Sequence, residues 1–390
     1  MLKHPHLVSQ ASELASVAES LKKSDKIAVD TEFIRETSFY PKLEILQIAT
    51  REESWVIDAR APRAALDPVL RELENPKSLK ILHAAQGDQE CLYTAWGVIA
   101  KPSLDTSVAA SLCGYGEGVG LAALLKNVLN VKIPKGHART HWGARPLPQE
   151  LIDYAHMDVE FLVELANALL TELDKLGRRE WALELSSKFE NSALYESNPR
   201  GIAERLFQSG RIDARDFPVL LELVTWRETR TRELNVPRRW LADDRVLMDI
   251  AHVKPRDVSH LKSFRGLNRG EINQHGEALV ARIRRAQEAK VEIPAAPLRT
   301  KPATASESRV MDLLRCYVGI LADDKSISVR HLVTSDSLLD LVRLRVTDPR
   351  EWVEKEILTQ GACDLVGTEI QDFLHGKRTL AVVDGQVRVT

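Results

Sequence analysis

The sequence predicts a mixed α/β domain followed by an all-helical half. Two observations lead there. Short β-branched runs at Lys26–Phe33, Leu43–Ala49, Ser54–Asp58 and Leu79–His83 crowd into the first hundred residues, separated or followed by helical patterns. After Pro148 the strand pattern all but disappears, and Pro or Gly punctuates helix ends at Pro199, Gly210, Pro237, Pro255 and Gly276. Three close-set strands followed by strand–helix alternation give a mixed sheet flanked by helices.

The elements follow in order. Ser9–Lys22 carries apolar residues at helical spacing and opens the chain as a helix. The four strands come next, the last leading into a helix at Gln86–Trp96. Gly114–Gly120 (GYGEGVG) fits neither a GxGxxG nor a Walker loop and reads as a turn before a Leu121–Leu129 helix. From Pro148 to about Leu176 the pattern is that of one long helix. Residues 291–308 hold three prolines among Ala, Ser and Thr, a linker composition. The expected divisions are therefore 1–205, a helical module at 212–290, the linker, a second module at 309–378 and a tail at 379–390. The tail forms either a hairpin around Asp384–Gly385 or a loose end.

Composition narrows the class. The 390 residues are 44% hydrophobic and 28% charged, with a net charge of −2. That is an ordinary globular balance with chain enough for a core. No apolar run approaches the roughly 20 residues of a membrane span, and the N-terminus lacks a signal-peptide core, so a cytoplasmic location is expected. Cys91, Cys113, Cys316 and Cys363 are scattered, with no CxxC, so reduced thiols are expected. The small net charge hides an asymmetry. Residues 1–200 carry 23 basic and 28 acidic side chains, 201–300 carry 19 and 14, and 301–390 carry 12 and 14. An acidic front joined to a basic middle suits an acid-dependent site beside a module that meets an anion.

The acids have a pattern. Asp30 and Glu32 end the first long strand, and residues i and i+2 of a strand share a face. Two carboxylates on one face repel and lose solvation, and a divalent cation resolves both problems. Asp88 stands at the start of the helix after the Leu79–His83 strand, where an acid also suits the helix terminus. His83 reads as a hydrogen-bonded structural residue. Tyr154 and Asp158 are one helical turn apart and share a face, whereas Asp153 and Glu160 lie off it.

In that order, Asp30/Glu32, Asp88 and Tyr154/Asp158 resemble the three exonuclease motifs of the DEDD superfamily, and the tyrosine matches its DEDDy branch. Arg35–Gln47 (RETSFYPKLEILQ) and Trp142–Leu147 (WGARPL) are similar to the flanks of the first and third motifs in the ribonuclease D family. Residues 212–290 resemble a helicase-and-RNase-D C-terminal (HRDC) domain, notably at Leu220–Arg230 and Asn235–Pro255. Residues 309–378 resemble a more diverged copy. One departure is Gly266–Gly270 (GLNRG), where many relatives have a Gly-Val-Gly turn.

The resemblance implies a ribonuclease H-like exonuclease domain followed by two all-α HRDC-like domains. It implies a 3′→5′ exoribonuclease releasing 5′-mononucleotides by a two-metal-ion mechanism, acting on structured RNA 3′ ends such as tRNA precursors. Asp30, Glu32, Asp88 and Asp158 would hold two divalent metal ions, Mg²⁺ or Mn²⁺, and Asp30 would bridge them. Tyr154 would orient the attacking water. A DNA exonuclease on the same fold shares these ligands, and a non-catalytic RNA-binding protein is a third reading, disfavoured by the intact acid set. No feature calls for an obligate protein partner.

RNA-binding candidates are Lys132, Lys135, Arg139 and Arg145 in the loop before the catalytic helix, and Arg227 and Arg230 in the first helical module. Arg232, Arg238, Arg239, Lys262, Arg265 and Arg269 add to that module's positive charge. Trp226 and Trp240 read as core anchors. His137 and His141 lack a third zinc ligand.

Overall fold

A computed structural model describes residues 6–133, 141–294, 303–343 and 348–390. Six strands form one sheet: β1 (Leu7–Val8), β2 (Lys26–Ile34), β3 (Lys42–Ala49), β4 (Ser54–Asp58), β5 (Leu79–Leu82) and β6 (Ser103–Asp105). Their order is β1-β4-β3-β2-β5-β6. The β2–β3 and β3–β4 pairs are antiparallel; β1–β4, β2–β5 and β5–β6 are parallel. The four strands legible in the sequence form the centre. The two edge strands are only two and three residues long, too short to show alternation.

Alternation along β2 divides the domain into two layers. Ile27 and Val29 join Leu46, Ile48 and Ile57 in the core beneath the helices Ala11–Leu21, Arg63–Leu73 and Gln86–Trp96. Ala28 faces the other way and joins Ala49 and Ile81 beneath Thr106–Leu112 and Leu162–Leu176. Ile45 and Val56, also on that second face, lie under Gln149–Glu160. The expected single helix from Pro148 to Leu176 is therefore two. It breaks at Phe161 (φ −105°, ψ 3°), the first part covering β2–β4 and the second covering β2 and β5. No Pro or Gly marks the break, because it is set by the two surfaces the chain must cover.

The helical half repeats one plan twice. The first module runs Phe217–Leu234, Arg238–Leu241, Asp244–Val253, Val258–Leu261 and Arg269–Glu288. The second runs Ala305–Asp324, Val329–Leu332, Ser335–Arg343, Pro349–Glu354 and Gln360–Leu374. Each opens with a long helix, turns through a left-handed residue (Asn235 and Ser326, both φ +48°), and enters a four-residue helix ending on a buried leucine (Leu241 and Leu332). The succession matches a diverged duplication.

The modules attach differently. The first has a core of its own, which also takes Ala203 and Leu206 from the Pro199–Leu206 helix, all but the last residue of which falls in the 1–205 range expected for the catalytic domain. Its link to the sheet domain is polar: Asn235 Oδ1 accepts from the backbone N–H of Phe39 (3.1 Å) and Tyr40 (3.3 Å). The Arg238 guanidinium also lies 4.7 Å from the centre of the Phe39 ring. The second module shares one continuous core with the sheet domain, where Leu314, Tyr317, Val318 and Trp352 meet Leu165, Leu169 and Trp181. Arg178 crosses that boundary, donating to the carbonyls of Leu112 (2.6 Å) and Lys325 (2.7 Å). Ser111 hydrogen-bonds His331 at 2.7 Å.

Two smaller expectations resolve. The tail forms the hairpin, β7 (Leu380–Val383) and β8 (Gln386–Val389), around Asp384 (φ +53°) and Gly385 (φ +76°). Trp226 is buried in the core, but Trp240 is 46% exposed, which corrects the reading of both as anchors. In the short Arg238–Leu241 helix only Leu241 turns inward, and Trp240 stays outside.

Gly361 marks how closely the second module sits. A methyl group there would lie 2.2 Å from the Trp181 ring. Gly361→Ala should therefore destabilise the protein by roughly 1–3 kcal/mol. Gly319→Ala, in a helix with open space around it, should be neutral or stabilising by up to about 1 kcal/mol. Thermal melts of both variants check the contrast.

Candidate active site

The site grows from the end of β2. Asp30 and Glu32 share the face covered by the Gln149–Glu160 helix, which brings Tyr154 and Asp158 down from above. Asp30, Glu32 and Asp158 each place a carboxylate oxygen within 4.8 Å of the others. Thr31 points to the opposite face. β5 pairs with β2 only as far as Ala28, so the strand edge beyond is open. There the chain turns through Ala84 (φ +58°) into the Gln86–Trp96 helix. Buried Asp105 holds that turn, accepting from the N–H of Ala84 and Ala85 (both 2.9 Å) and of Ser107 (2.8 Å). Asp88 is thereby set beside Thr31, whose hydroxyl donates to Asp88 Oδ1 at 2.6 Å.

The expected acids thus divide into a close trio and a fourth, Asp88, held beside Thr31, whose charge acts on Asp30 more strongly than those of Asp158 and Glu32. Neither Asp105 nor Thr31 was singled out from sequence; only Asp105's position just before a helix hinted at a cap. His83 hydrogen-bonds Thr106 Oγ1 at 2.9 Å, a structural role.

Electrostatics set the site apart. Burial, then the charges of Asp88, Asp158 and Glu32, pushes Asp30 well above the carboxylate range. Burial, reinforced by Asp158 and Asp88, raises Glu32 to about 8. Burial raises Asp88 to about 7, against the hydrogen bond from Thr31. It raises Asp158 to about 6, against one from Tyr154. Burial and the Asp158 and Glu32 charges push Tyr154 above its ordinary value near 10, so it stays a phenol that donates to Asp158. Among the described residues, no Lys or Arg forms an ion pair with any of the four acids. A hard divalent cation fits this all-carboxylate set.

The surroundings fix the helix that carries Tyr154. Trp142, in a small core with Ile45, Val56 and Leu151, packs its ring 6.1 Å from the Tyr154 ring. Arg145 brackets Trp142: it donates to Asp58 through Nε and Nη2, both at 2.8 Å, and to the Trp142 carbonyl at 2.9 Å. The guanidinium expected to meet RNA is thus bonded to the protein's own oxygens. Two further RNA-contact candidates, in the first module, are paired within the protein. Arg227 is 2% exposed and pairs with Asp244 (2.8 Å) and Glu228. Arg230 pairs with Glu271 (2.6 Å) and Glu233 (2.8 Å). The partners Asp58, Asp244 and Glu271 are too distant in sequence to have revealed these commitments. Lys132 is exposed, and Lys135, Arg139 and His137 lie outside the described residues. Exposed Arg239, Lys262, Arg265 and Arg269 form no ion pair among the described residues.

A mixed sheet with paired acids at the end of its central strand, under a helix bearing Tyr and Asp, defines a 3′→5′ exonuclease. A 3′-5′ exonuclease family matches residues 5–174, and an HRDC domain matches residues 216–283. Ribonuclease D of Sphingobium indicum is 32% identical over 99% of this chain and 98% of its own. That of Zymomonas mobilis is 32% identical over 99% and 98%. The chain belongs to the ribonuclease D family and is a 3′→5′ exoribonuclease. Escherichia coli RNase D, described as an exoribonuclease involved in structured RNA processing, has the same fold. It aligns with a TM-score of 0.79 at 23% identity, covering 96% of this chain and 99% of that one. A Bifidobacterium adolescentis protein aligns at 0.68 and 21%, covering 96% and 97%. Among the described residues, no helix is long and apolar enough to cross a membrane.

The raised acids give a pH signature. The folded state holds protons that the unfolded chain releases near pH 4. Their contribution to stability is complete below that pH and is lost as pH rises through the folded values, about 6 for Asp158, 7 for Asp88 and 8 for Glu32. Melts in EDTA should show Tm falling between pH 5 and 9, with a shallower fall in Asp30→Asn.

Proposed function

We propose that this exoribonuclease trims the 3′ ends of structured RNAs, tRNA precursors among them, in the cytoplasm, and releases 5′-mononucleotides. The observation that carries the reading is the trio of carboxylates within 4.8 Å, without a basic counter-charge among the described residues. Asp30, Glu32 and Asp158 would hold divalent cations, Mg²⁺ or Mn²⁺, with Asp88 completing a two-ion set from beside Thr31. When bound, such ions activate water and stabilise the leaving 3′-oxygen.

The chain's own groups do the rest. Tyr154 keeps its proton, so its hydroxyl orients the attacking water rather than removing a proton outright. Trp142 and Arg145 hold the helix that aims it. The tRNA reading is supported by family membership and by the structured-RNA role of the Escherichia coli relative, whose fold this chain shares.

The 212–290 module is read as an RNA-holding unit. Its exposed Trp240, with Arg239, Lys262, Arg265 and Arg269, combines a stacking surface with free cations. The 309–378 module, with its neutral-to-acidic balance and shared core, is read as part of the catalytic scaffold.

A time course on 5′-labelled RNA and DNA of one sequence, with Mg²⁺, Mn²⁺ or EDTA, tests the activity. Metal-dependent shortening of RNA from its 3′ end, absent in Asp30→Asn, is the expected result; near-normal turnover in that variant overturns the site. Tyr154→Phe should lower kcat by about 10²-fold or more without changing RNA affinity. Glu160→Gln, off the catalytic face, should cleave nearly as the parent does. Trp240→Ala should weaken RNA binding by roughly 1–3 kcal/mol in filter-binding titrations, with short-oligonucleotide kcat retained.

A further inference from the structure

Gln47 lies in the middle of β3, directly opposite Asp30 on β2. Directly paired residues of an antiparallel ladder share a face, with Cβ atoms about 4.5–5.5 Å apart. Gln47 therefore projects to the Asp30 face of the sheet, beneath the Gln149–Glu160 helix. It is 0% exposed, and neither its Nε2 nor its Oε1 has a hydrogen-bond partner among the described residues. Its neighbours on that face, Ile45, Ala49 and cross-strand Val56, show what the position would ordinarily take. The covering helix offers Ile152 and Ala155, and His156 Nδ1 is already engaged by Ser54 at 2.6 Å. A buried carboxamide with nothing to bond is costly, and an apolar side chain of the same length would avoid the cost.

We infer that Gln47 is a positioning residue for Asp30: its Nε2 donates to the Asp30 carboxylate when that carboxylate holds a cation, fixing the ligand's orientation. The inference rests on the reading of Asp30 as a metal ligand. Groups that hold a ligand in this way typically contribute 10–100-fold to metal affinity.

The test is Gln47→Met, which keeps length and volume and removes the amide. Three quantities are read: the Mn²⁺ affinity of RNA-free protein by calorimetry, the Tm in EDTA, and kcat and KM on a short RNA. The variant should bind Mn²⁺ about 10-fold or more weakly and keep or raise its metal-free Tm. It should lose kcat while retaining KM, and Gln47→Asn should recover part of the loss. Mn²⁺ affinity and kcat equal to the parent's, with parent binding intact, overturn the inference alone. A lower metal-free Tm in Gln47→Met also overturns it, because the amide would then be a packing element. Absence of Mn²⁺ binding in the parent overturns the metal reading and this inference with it.

Discussion

Burial of a group of carboxylates away from water, compounded by their mutual repulsion, is the constraint around which this protein is built. Asp30, Glu32 and Asp158 are pressed together beneath a helix, and Asp88 adds its charge from beside Thr31. Left alone they keep protons that exposed acids would release. Much of the nearby architecture maintains this unfavourable assembly. β5 leaves β2 at Ala28, Asp105 clamps the turn that delivers Asp88, and the Trp142–Arg145 bracket holds the covering helix. The same closeness that destabilises the metal-free protein prepares a dense array of oxygen donors.

The two helical modules share a plan and differ in what they bury. The second gave its apolar surface to the sheet domain, so Trp352 and Tyr317 stand in one core with Leu169 and Trp181. The first kept its apolar surface for itself and meets the sheet domain through Asn235 and Arg238 at Phe39 and Tyr40. Those two aromatics lie just beyond the catalytic strand, so the first module grips the segment that leaves the active site.

Much of this was readable in the chain. The acids of β2 and the Tyr154–Asp158 pair announce themselves because strand and helix periods convert spacing directly into a shared face. The four central strands were legible for the same reason. What escaped depended on contacts between distant residues. Arg145, Arg227 and Arg230 look free until Asp58, Asp244 and Glu271 come beside them. Trp240 looks like an anchor until the short helix turns it outward. The break at Phe161 carries no local signal, since it is imposed by the sheet beneath. The second module was legible only as a diverged resemblance to the first, and the matching order of helices and turns supplies what its side chains do not.

That repeat bears on how the protein could have changed over time. A duplicated unit begins as two interchangeable copies. Because Leu314, Tyr317, Val318 and Trp352 lie in the enzyme's interior, the second module cannot be exchanged or discarded without opening that core. The first, with a closed interior and a polar seam, remained a cartridge. A change inside the first module therefore stays within its own core, whereas a change inside the second is felt by the catalytic domain.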